Sequence, residues 1–538
     1  MSSEPRFGIE NGMDKRTSGA KAPAYPQEAG AEMTLAEVRK QLNGAKGKRY
    51  WRSIDELAGT PEFEAAVAKE FPDAAQEWVD PVSRRGFMKL MGASLALAGL
   101  AGCTKQPDEP IYAYVKQPED LILGKPNYFA TAYPTAQGGI PLLVKSEAYR
   151  PIKVDGNPDH AYNLGSSDPY TQGTLLDLYD PDRSPKATLR GETREWAEFV
   201  EVYRERLIAG KANGGEGIYF LSSTITSPTL ARQWSEAQKV YPKAKLIQYD
   251  PINRDSVRSV LGNSDVQYSL TDADVILSLD ADFLSGASFP GFHKLVREFV
   301  SRRKLEGKEL NRLYTVESTT TTTGMKAEHR LALRATEIPA FAAALASALG
   351  VSTAVPAYSW SDERAKFLKA LAADLKAHAG KSVVIAGEQQ HPSVISLALA
   401  INEALGNNGK TVFYTESVQP LPPSGDDIKS LVSDLWAGKV DWLVILNANP
   451  VYSAPADLNF KAALEKAKTT VHLGSHQDET GRETIWHLPA AHYLESWSDV
   501  RSYDGTVSVV QPLIEPLYNG HTAHHIVQEM LDDPSTSA

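Results

Sequence analysis

The sequence of 538 residues contains one cysteine, Cys103. A single thiol cannot form a disulfide within the chain, and it cannot supply the several thiolates of an iron–sulfur cluster or a multi-cysteine metal site. The Cys-x-x-Cys-His attachment site of a c-type haem is absent as well. The chain by itself therefore cannot hold the iron–sulfur clusters or covalent haems that carry electrons in many redox proteins.

Other absences narrow the class of protein further. Neither Gly-x-Gly-x-x-Gly nor Gly-x-x-x-x-Gly-Lys is present, so no common nucleotide-binding loop is predicted. No apolar run reaches the ~18 residues of a transmembrane helix, so no span is predicted in the mature protein. The 56 basic and 67 acidic residues give a net charge of −11. Without a long basic run, this balance argues against a nucleic-acid partner.

Residues 81–103, which end in SRRGFMKLMGASLALAGLAGC, predict an export signal. Paired arginines precede a mostly apolar stretch that ends in two small residues and a cysteine. This order indicates a twin-arginine signal, used by proteins exported in the folded state, and a lipobox whose cysteine takes a lipid thioether. A short buried helix is the alternative, and the position of the single cysteine favours the anchor. The signal residues are Ser83, Arg84, Arg85, Phe87 and Lys89, and the lipidated residue is Cys103.

The segments on either side of this signal have little regular pattern. Residues 1–80 are predicted to be a disordered presequence with one short helix, which Thr60 caps and in which Phe63 and Val67 share a face. Residues 104–135 contain five prolines and no apolar periodicity. They predict an extended tether.

Residues 136–193 predict a small β structure. Two short apolar runs, 140–144 and 151–154, follow a glycine turn and indicate a hairpin. A turn-forming cluster comes directly after them. It consists of Gly156, Asn157, Pro158, Asp159 and His160.

From residue 194 onward, strand-like and helix-like segments alternate, which predicts an α/β fold. The expected strands are 217–222, 245–249, 273–279, 312–316, 382–386, 411–414, 442–446 and 470–473, and the expected helices include 228–240, 291–303 and 392–405. Two parallel-sheet lobes are expected, at 194–340 and 341–500, with the truncated start of a fourth lobe at 501–538. Ligands of open parallel sheets bind at the carboxyl ends of strands, near a reversal in strand order.

Several polar segments offer binding groups, but none is a strong sign of an active site. Residues 222–227 and 318–324 could donate to a phosphate, although ordinary polar loops are favoured. Histidines occur as His472 and His476, which Gly474 separates, and as His521, His524 and His525, for which a solvated helix face is expected. The possible acid–base pairs are Asp478 with Glu479 and Glu495 with Asp499, and no nucleophile accompanies them.

The sequence YWRSIDELAGTPEF at residues 50–63, followed by the delayed twin-arginine signal, resembles the molybdopterin-oxidoreductase-like large subunit of bacterial alternative complex III. Complexes of this family oxidise quinol at the periplasmic face of the inner membrane. The resemblance implies a multi-lobed α/β fold and covers the N-terminal, molybdopterin-like part of the family. Because the family continues into a further lobe and a cysteine-rich iron–sulfur portion, a fragment, a split gene or a shortened variant is expected.

Further segments resemble the cofactor-binding lobes of molybdopterin oxidoreductases. They are LNANPVYSAPADL at 446–458, HLGSHQDET at 472–480 and WHLPAAHYLESWSDVRSYDG at 486–505, together with the Gly-Asn-Pro-Asp-His turn. The resemblance implies the following pocket positions for a pterin dinucleotide: Gly156, Asn157, Pro158, Asp159, His160, Asn447, Asn449, Pro450, His472, Gly474, Asp478, Pro489, Glu495 and Gly505. The complex III family keeps the fold without the cofactor, so these positions are expected to be structural remnants.

The chain departs from catalytic relatives where their cysteines stand. Residues 166–173, with the sequence SSDPYTQG, replace a cysteine and a Lys-Gly pair after the first turn. Serine and aspartate cannot substitute for the thiolates of a cluster. Cysteine or selenocysteine ligation of molybdenum is also absent, whereas a serine or aspartate ligand is compatible with the sequence.

Two functional hypotheses follow. The first is a non-catalytic, cofactor-free scaffold subunit of a quinol:electron acceptor oxidoreductase, lipid-anchored at the periplasmic face of the bacterial inner membrane. Its expected partners are a cysteine-rich iron–sulfur subunit or domain, a multihaem cytochrome c subunit and quinol-binding integral membrane subunits, with iron–sulfur clusters and haem c only in those partners. The second is a molybdenum or tungsten oxidoreductase that binds molybdopterin guanine dinucleotide through a non-cysteine metal ligand.

Overall fold

A computed structural model describes residues 121–122, 124–285, 289–303, 310–353, 358–421 and 427–532. The chain divides into two units, Met1–Lys116 and Gln117–Ala538, and the described residues belong to the second. The predicted presequence, the export signal and Cys103 lie outside these residues. No helix of the described part is long and apolar enough to cross a membrane.

The strands of the described part are β1 (Asn127–Tyr133), β2 (Ile140–Glu147), β3 (Arg150–Gly156), β4 (Ala187–Leu189), β5 (Glu192–Arg194), β6 (Ile218–Ser222), β7 (Lys245–Gln248), β8 (Ser264–Tyr268), β9 (Val275–Leu279), β10 (Arg312–Glu317), β11 (His329–Ala332), β12 (Ser382–Ala386), β13 (Val412–Glu416), β14 (Trp442–Leu446), β15 (Thr469–Gly474), β16 (Trp486–Pro489), β17 (Ser498–Arg501) and β18 (Val507–Val510).

The helices are α1 (Pro169–Leu178), α2 (Trp196–Lys211), α3 (Pro228–Val240), α4 (Asp255–Leu261), α5 (Phe292–Ser301), α6 (Thr322–Lys326), α7 (Ile338–Ala348), α8 (Asp362–Ala377), α9 (Pro392–Ala404), α10 (Ile428–Trp436), α11 (Pro450–Ser453), α12 (Phe460–Leu464), α13 (Glu479–Glu483) and α14 (Ala523–Leu531), with short 3₁₀ turns at Ala335–Glu337 and Ala456–Leu458.

A seven-stranded sheet in the order β5-β4-β16-β15-β14-β6-β7 forms the larger core. The strands from β16 to β7 run parallel, and β4 pairs antiparallel with β16 at the other edge. Phe220 and Val444 face a core that contains residues of α2, α3 and α14, whereas Leu221 and Ile445 face residues of α10 and α12. Since both faces are covered, apolar residues are favoured on both sides of these strands, which explains the runs IYFL at 218–221 and WLVIL at 442–446.

A four-stranded parallel sheet in the order β11-β10-β9-β12 forms the second core. Leu277 and Val384 pack with residues of α7 and α9 on one face. Ile276 and Val383 pack with residues of α5 on the other face. The predicted α/β class with two parallel-sheet lobes is thereby confirmed.

The two sheets do not follow one another along the chain, which corrects the expected lobes at 194–340 and 341–500. After β7 the chain builds β9 to β12, and it then returns with β14 to pair alongside β6. The return is favourable because the backbone N–H and C=O groups at both edges of the buried strand β6 then have partners, in β14 and β7. The boundary at 500 falls inside β17, and the expected strand at 411–414 pairs antiparallel with β8 outside both parallel sheets.

A three-stranded antiparallel sheet lies at the start of the described part. Strands β2 and β3 pair as a hairpin, as predicted from the runs at 140–144 and 151–154. Strand β1 pairs along its whole length with β2, which corrects the expected tether at 104–135 over residues 127–133. The sequence NYFATAY lacks a strict apolar alternation, so its strand character depends on the edge that β2 offers.

Candidate functional site

The seven-stranded sheet reverses its strand order between β6 and β14. After β6 the chain moves to β7 on one side, and after β14 it moves to β15 and β16 on the other. The loops that leave the carboxyl ends of β6 and β14 therefore diverge and open a crevice. A cavity of about 800 Å³ is lined by residues of these loops.

Loops from four neighbouring strands contribute to the wall of this cavity. Residues 222–227 follow β6, residues 447–449 follow β14, residues 474–476 follow β15, and residues 490–493 follow β16. Hydroxyl groups, amides, imidazoles and carboxylates provide most of its polar surface. The cavity therefore lies where doubly wound sheets bind ligands, and its wall carries polar groups from each of these loops.

The N-terminus of α3 points into this region and is already occupied by a carboxylate. Ser227 is the N-cap, and its hydroxyl donates to Asp499 Oδ1. The Thr229 amide lies 3.2 Å from each oxygen of Asp499, and the Thr229 hydroxyl donates to Oδ2 at 2.7 Å. Asp499 thus accepts the hydrogen bonds that the first turn of the helix would offer to an anion.

Arg183, a permanently charged cation of the cavity wall, is also paired with a carboxylate. Arg183 donates from both terminal nitrogens to the two oxygens of Glu495, at 3.0 and 2.7 Å, and the two side chains are 2% and 0% exposed. Burial opposes ionisation of Glu495, but the hydrogen bonds from Arg183, Leu517 and His492 outweigh it and lower its pKa. The guanidinium therefore neutralises a protein carboxylate and contacts the backbone of Leu178.

A buried chain of hydrogen bonds runs behind the wall. Ser184 Oγ lies 2.6 Å from His487 Nε2, and His487 Nδ1 lies 3.1 Å from His472 Nδ1. Burial lowers the pKa of each imidazole to about 4, although a hydrogen bond to the backbone of Ala448 opposes the change at His472. A Cβ at Gly474 would lie 2.4 Å from His472 Cε1. Gly474 is therefore required for packing against the imidazole.

The C-terminal histidines do not form the solvated helix face that the sequence predicts. The His521 ring stacks on Trp196 with centroids 3.5 Å apart, and His524 Nε2 lies 2.8 Å from Ser498 Oγ. Both histidines line the cavity, whereas His525 is exposed. Helix α14 packs against α2 and α3, and this packing turns its first residues towards the cavity.

The four-stranded sheet has a corresponding reversal between β9 and β12, but its strand ends are filled. Gln389 Nε2 donates to the Asp280 carbonyl at 2.6 Å, and Gln390 Nε2 donates to the Asp280 carboxylate at 2.8 Å. A Cβ at Gly387 would lie 2.2 Å from the same carbonyl oxygen. In the hydroxyl-rich loop at 318–324, Thr323 donates to Asp282. The open crevice is therefore that of the larger sheet.

The predicted pocket positions fall into two groups, those at or beside the cavity and those that are not part of it. Those that line the cavity are Asn447, Asn449, His472, Gly474 and Asp478. Pro450 begins α11 and Pro489 ends β16, so each adjoins a lining residue, and Glu495 is held by Arg183. The second group, Gly156, Asn157, Pro158, Asp159, His160 and Gly505, does not contribute to the wall.

The second group has structural roles outside the wall, and one of them is long-range, since His160 Nε2 lies 3.2 Å from Ser508 Oγ. A Cβ at Gly156 would lie 2.2 Å from the carbonyl oxygen of Ser166, and Asn157 Oδ1 accepts from the Asp159 amide. Gly505 has φ +92° in the turn between β17 and β18. A turn of this kind need not reach the site, because its residues are used to close the loop.

Sequence reasoning missed several lining residues. Tyr133, Thr135, Thr174, Asp177 and His492 line the cavity together with Arg183. They come from the first three-stranded sheet, from α1 and from the loop after β16. No local pattern marks them, because they become neighbours only through contacts between segments more than 300 residues apart, as between Thr174 and Tyr493.

A pterin dinucleotide carries a diphosphate, and the residues present do not fit that anion. Among the described lining residues, Arg183 alone is permanently cationic, and it is paired with Glu495. Burial lowers the pKa of His492 and His521 to about 4, so both are neutral at pH 7. Asp177, Asp478 and Asp499 add carboxylates to the wall. No group of three or more metal-ligating side chains occurs in the described part of the chain.

Comparison with known proteins places the chain among molybdopterin-oxidoreductase-like folds. No family model matches. The menaquinone reductase, molybdopterin-binding-like subunit of Nitratidesulfovibrio vulgaris is 26% identical over 505 residues, covering 81% of this chain and 69% of that protein.

The solved structure of acetylene hydratase agrees at the level of the fold. Acetylene hydratase from Pelobacter acetylenicus superposes with a TM-score of 0.54 at 12% identity and covers 74% of this chain and 68% of its own. The formyltransferase/hydrolase complex of Methylorubrum extorquens gives a TM-score of 0.44 at 14% identity, with coverage of 64% and 97%. The fold of acetylene hydratase is thus similar to the multi-lobed α/β fold described above.

Proposed function

We propose that the chain is a molybdopterin-oxidoreductase-like subunit of a membrane quinone oxidoreductase complex. The observation that carries this proposal is the 26% identity to the menaquinone reductase subunit, which extends over 81% of this chain. A similarity of that extent covers most of the chain and not a single motif. The identity therefore suggests most directly that the chain is a subunit of such a complex.

We further propose that the subunit binds no pterin cofactor and performs no redox step itself. The support is the charge of the cavity wall, where Arg183 is paired with Glu495 and Asp499 fills the N-terminus of α3. A diphosphate would meet Asp478 and the backbone instead of a matching cation. The subunit then acts as a scaffold, and its acidic surface orients redox partners by charge complementarity.

The resemblance to alternative complex III suggests where this scaffold is located, how it is exported and anchored, and which partners it has. The complex faces the periplasm, Cys103 carries a lipid anchor, and the twin-arginine route exports the folded chain. The partners are a cysteine-rich iron–sulfur subunit or domain, a multihaem cytochrome c subunit and quinol-binding membrane subunits. One lipid anchor binds a membrane only moderately, so these partners add to retention.

The test is purification of the intact complex from membranes through an affinity tag on this chain. Mass spectrometry is expected to identify the membrane, haem and iron–sulfur subunits, and quinol oxidation is expected to reside in the complex. Metal analysis of the complex is expected to find iron without stoichiometric molybdenum or tungsten. Molybdenum or tungsten at one atom per chain would instead support the pterin enzyme with a non-cysteine ligand.

The export route has its own test. Replacing Arg84 and Arg85 by lysine keeps the charge but removes the guanidinium geometry. The variant precursor is expected to accumulate in the cytoplasm, as measured by fractionation and immunoblotting. A matched control replaces Lys48 and Arg49, a basic pair upstream of the signal, by arginine and lysine respectively, and is expected to be exported normally. Normal export of the Arg84→Lys, Arg85→Lys variant would contradict the proposed route.

A further inference from the structure

Helix α3 begins at the strand reversal of the larger sheet and has three orienting donors in its first turn. They are the Ser227 hydroxyl, the Thr229 amide and the Thr229 hydroxyl, and all of them donate to Asp499. The helix has 13 residues, so its aligned peptide dipoles place partial positive charge at this end. Donors and dipole together constitute a position for an anion.

The anion at this position comes from a distant part of the chain. Asp499 lies on β17, 272 residues after Ser227. It is not a local N-cap, because Ser227 already caps the helix by accepting from the Leu230 amide. The carboxylate is therefore an additional ligand, and it occupies the place where a phosphate binds to the first helix of many doubly wound sheets.

An independent feature of the same loop is a buried hydroxyl that makes no hydrogen bond to the described residues. Ser222 is 3% exposed and lies in the cavity wall at the carboxyl end of β6. Its Oγ has no hydrogen-bond partner among the described residues. A buried hydroxyl without a partner is unfavourable by itself, so the carboxyl end of β6 retains unused hydrogen-bonding capacity near α3.

We propose that Asp499 is an internal ligand that holds the anion position of this cavity in place of a phosphate group and so determines that the cavity rejects anions. This inference rests on the cofactor-free cavity of the proposed function. It adds that Asp499 is the residue that keeps anions out of the cavity. It implies that removing the carboxylate, while keeping the donors, converts the cavity into a site for phosphate-class anions.

The test uses the purified full chain and inorganic pyrophosphate as the probe. The Asp499→Ser variant removes the carboxylate and leaves space beside Ser227 and Thr229. Isothermal titration calorimetry is expected to show at least tenfold tighter pyrophosphate binding to this variant than to the wild type. Pyrophosphate is also expected to raise the melting temperature of the variant and to leave that of the wild type unchanged. Adding Ser222→Ala is expected to weaken the new binding.

Asp177→Ser is the matched control for charge. Asp177 lines the same cavity, and its replacement removes one negative charge without freeing the donors of α3. Unchanged pyrophosphate binding in this control supports a specific role of Asp499. An equal gain in both variants would show that only the total charge matters and would overturn the proposal, as would wild-type binding as tight as that of Asp499→Ser.

A conservative variant covers the case in which Asp499→Ser does not fold. Asp499→Asn keeps the shape but loses the charge, so its melting temperature is expected to fall, with no gain in pyrophosphate binding. An unchanged melting temperature would contradict the role of the carboxylate as a helix ligand. These results do not depend on metal analysis of the complex. The inference can therefore fail while the proposed function stands.

Discussion

The buried pair of Arg183 and Glu495 provides a quantitative test of the structure, through the change Glu495→Gln. The carboxylate accepts from two nitrogens of Arg183 and from the amides of His492 and Leu517. All four partners are donors. The amide nitrogen of glutamine is itself a donor, so it would face N–H groups with no acceptor, and the guanidinium would lose its counter-charge.

The expected loss follows from the burial of the pair. The side chains are 2% and 0% exposed, so solvent does not compensate for the missing charge. Removing one partner of a buried pair costs about 3–5 kcal/mol of unfolding free energy. That is a large fraction of the ~5–15 kcal/mol by which folded domains are stable. Glu495→Gln is therefore expected to lower the urea midpoint and the melting temperature clearly.

An exposed pair supplies the control for this measurement. Lys243 and Glu216 are in contact at 2.6 Å, but their side chains are 59% and 66% exposed. Glu216→Gln is expected to change the unfolding free energy by less than ~1 kcal/mol. The double change Arg183→Met, Glu495→Leu removes both buried charges and is expected to recover only part of the loss caused by Glu495→Gln, because the His492 and Leu517 amides lose their acceptor.

The pH dependence has a defined sign. Burial opposes ionisation of Glu495, but its hydrogen bonds outweigh this effect, so its pKa in the folded state is lowered. The stabilisation is complete above the unfolded-state pKa of ~4.3 and is lost as the pH falls through the lower folded value. Glu495→Gln lacks this acid-dependent loss. If Glu495→Gln and Glu216→Gln unfolded at the same urea concentration, the burial of the pair would be refuted.

Three further predictions concern the anchor, a tight turn and the buried imidazoles. Cys103→Ala is expected to abolish incorporation of labelled fatty acid and to weaken membrane retention, and unchanged labelling would contradict the lipobox. Gly156→Ala is expected to lower the melting temperature because its Cβ would lie 2.2 Å from a backbone oxygen, whereas Gly173→Ala, with no atom within 4 Å of its Cβ, is expected to be neutral or stabilising. The pKa of His472 is lowered to about 4 by burial, so its stabilisation is complete above pH ~6.5 and is lost towards pH 4. The urea midpoint of His472→Asn is therefore expected to depend less on pH over that range than that of the wild type.

Local patterns were sufficient to predict most strands of the parallel sheets, although β11 and β16 were missed. The run IYFLS at Ile218–Ser222 is apolar at each position but the last, and a buried parallel strand requires that composition. The helix predicted at 228–240 has the same bounds in the structure, since Ser227 and Pro228 supply a cap and a first residue that are recognisable locally. Residue type and spacing within one element contain this information.

The order of strands was not available from such patterns. Strand β14 pairs with β6, and the intervening chain builds the other sheet. Both sheets consist of equally apolar strands, so composition does not indicate which neighbour each strand will choose. The expected division at residue 340 failed for that reason.

The sequence by itself determined that the chain has no cluster or covalent haem, because one cysteine cannot provide the ligands. It also determined the α/β class, through the alternation of strand and helix patterns. Only the tertiary structure decided the charge of the cavity. Glu495 neutralises Arg183 from 312 residues away, and Asp499 reaches α3 from a similar distance. Long-range contacts of this kind leave no periodicity or spacing in the chain, so they become visible only when the strands have found their partners.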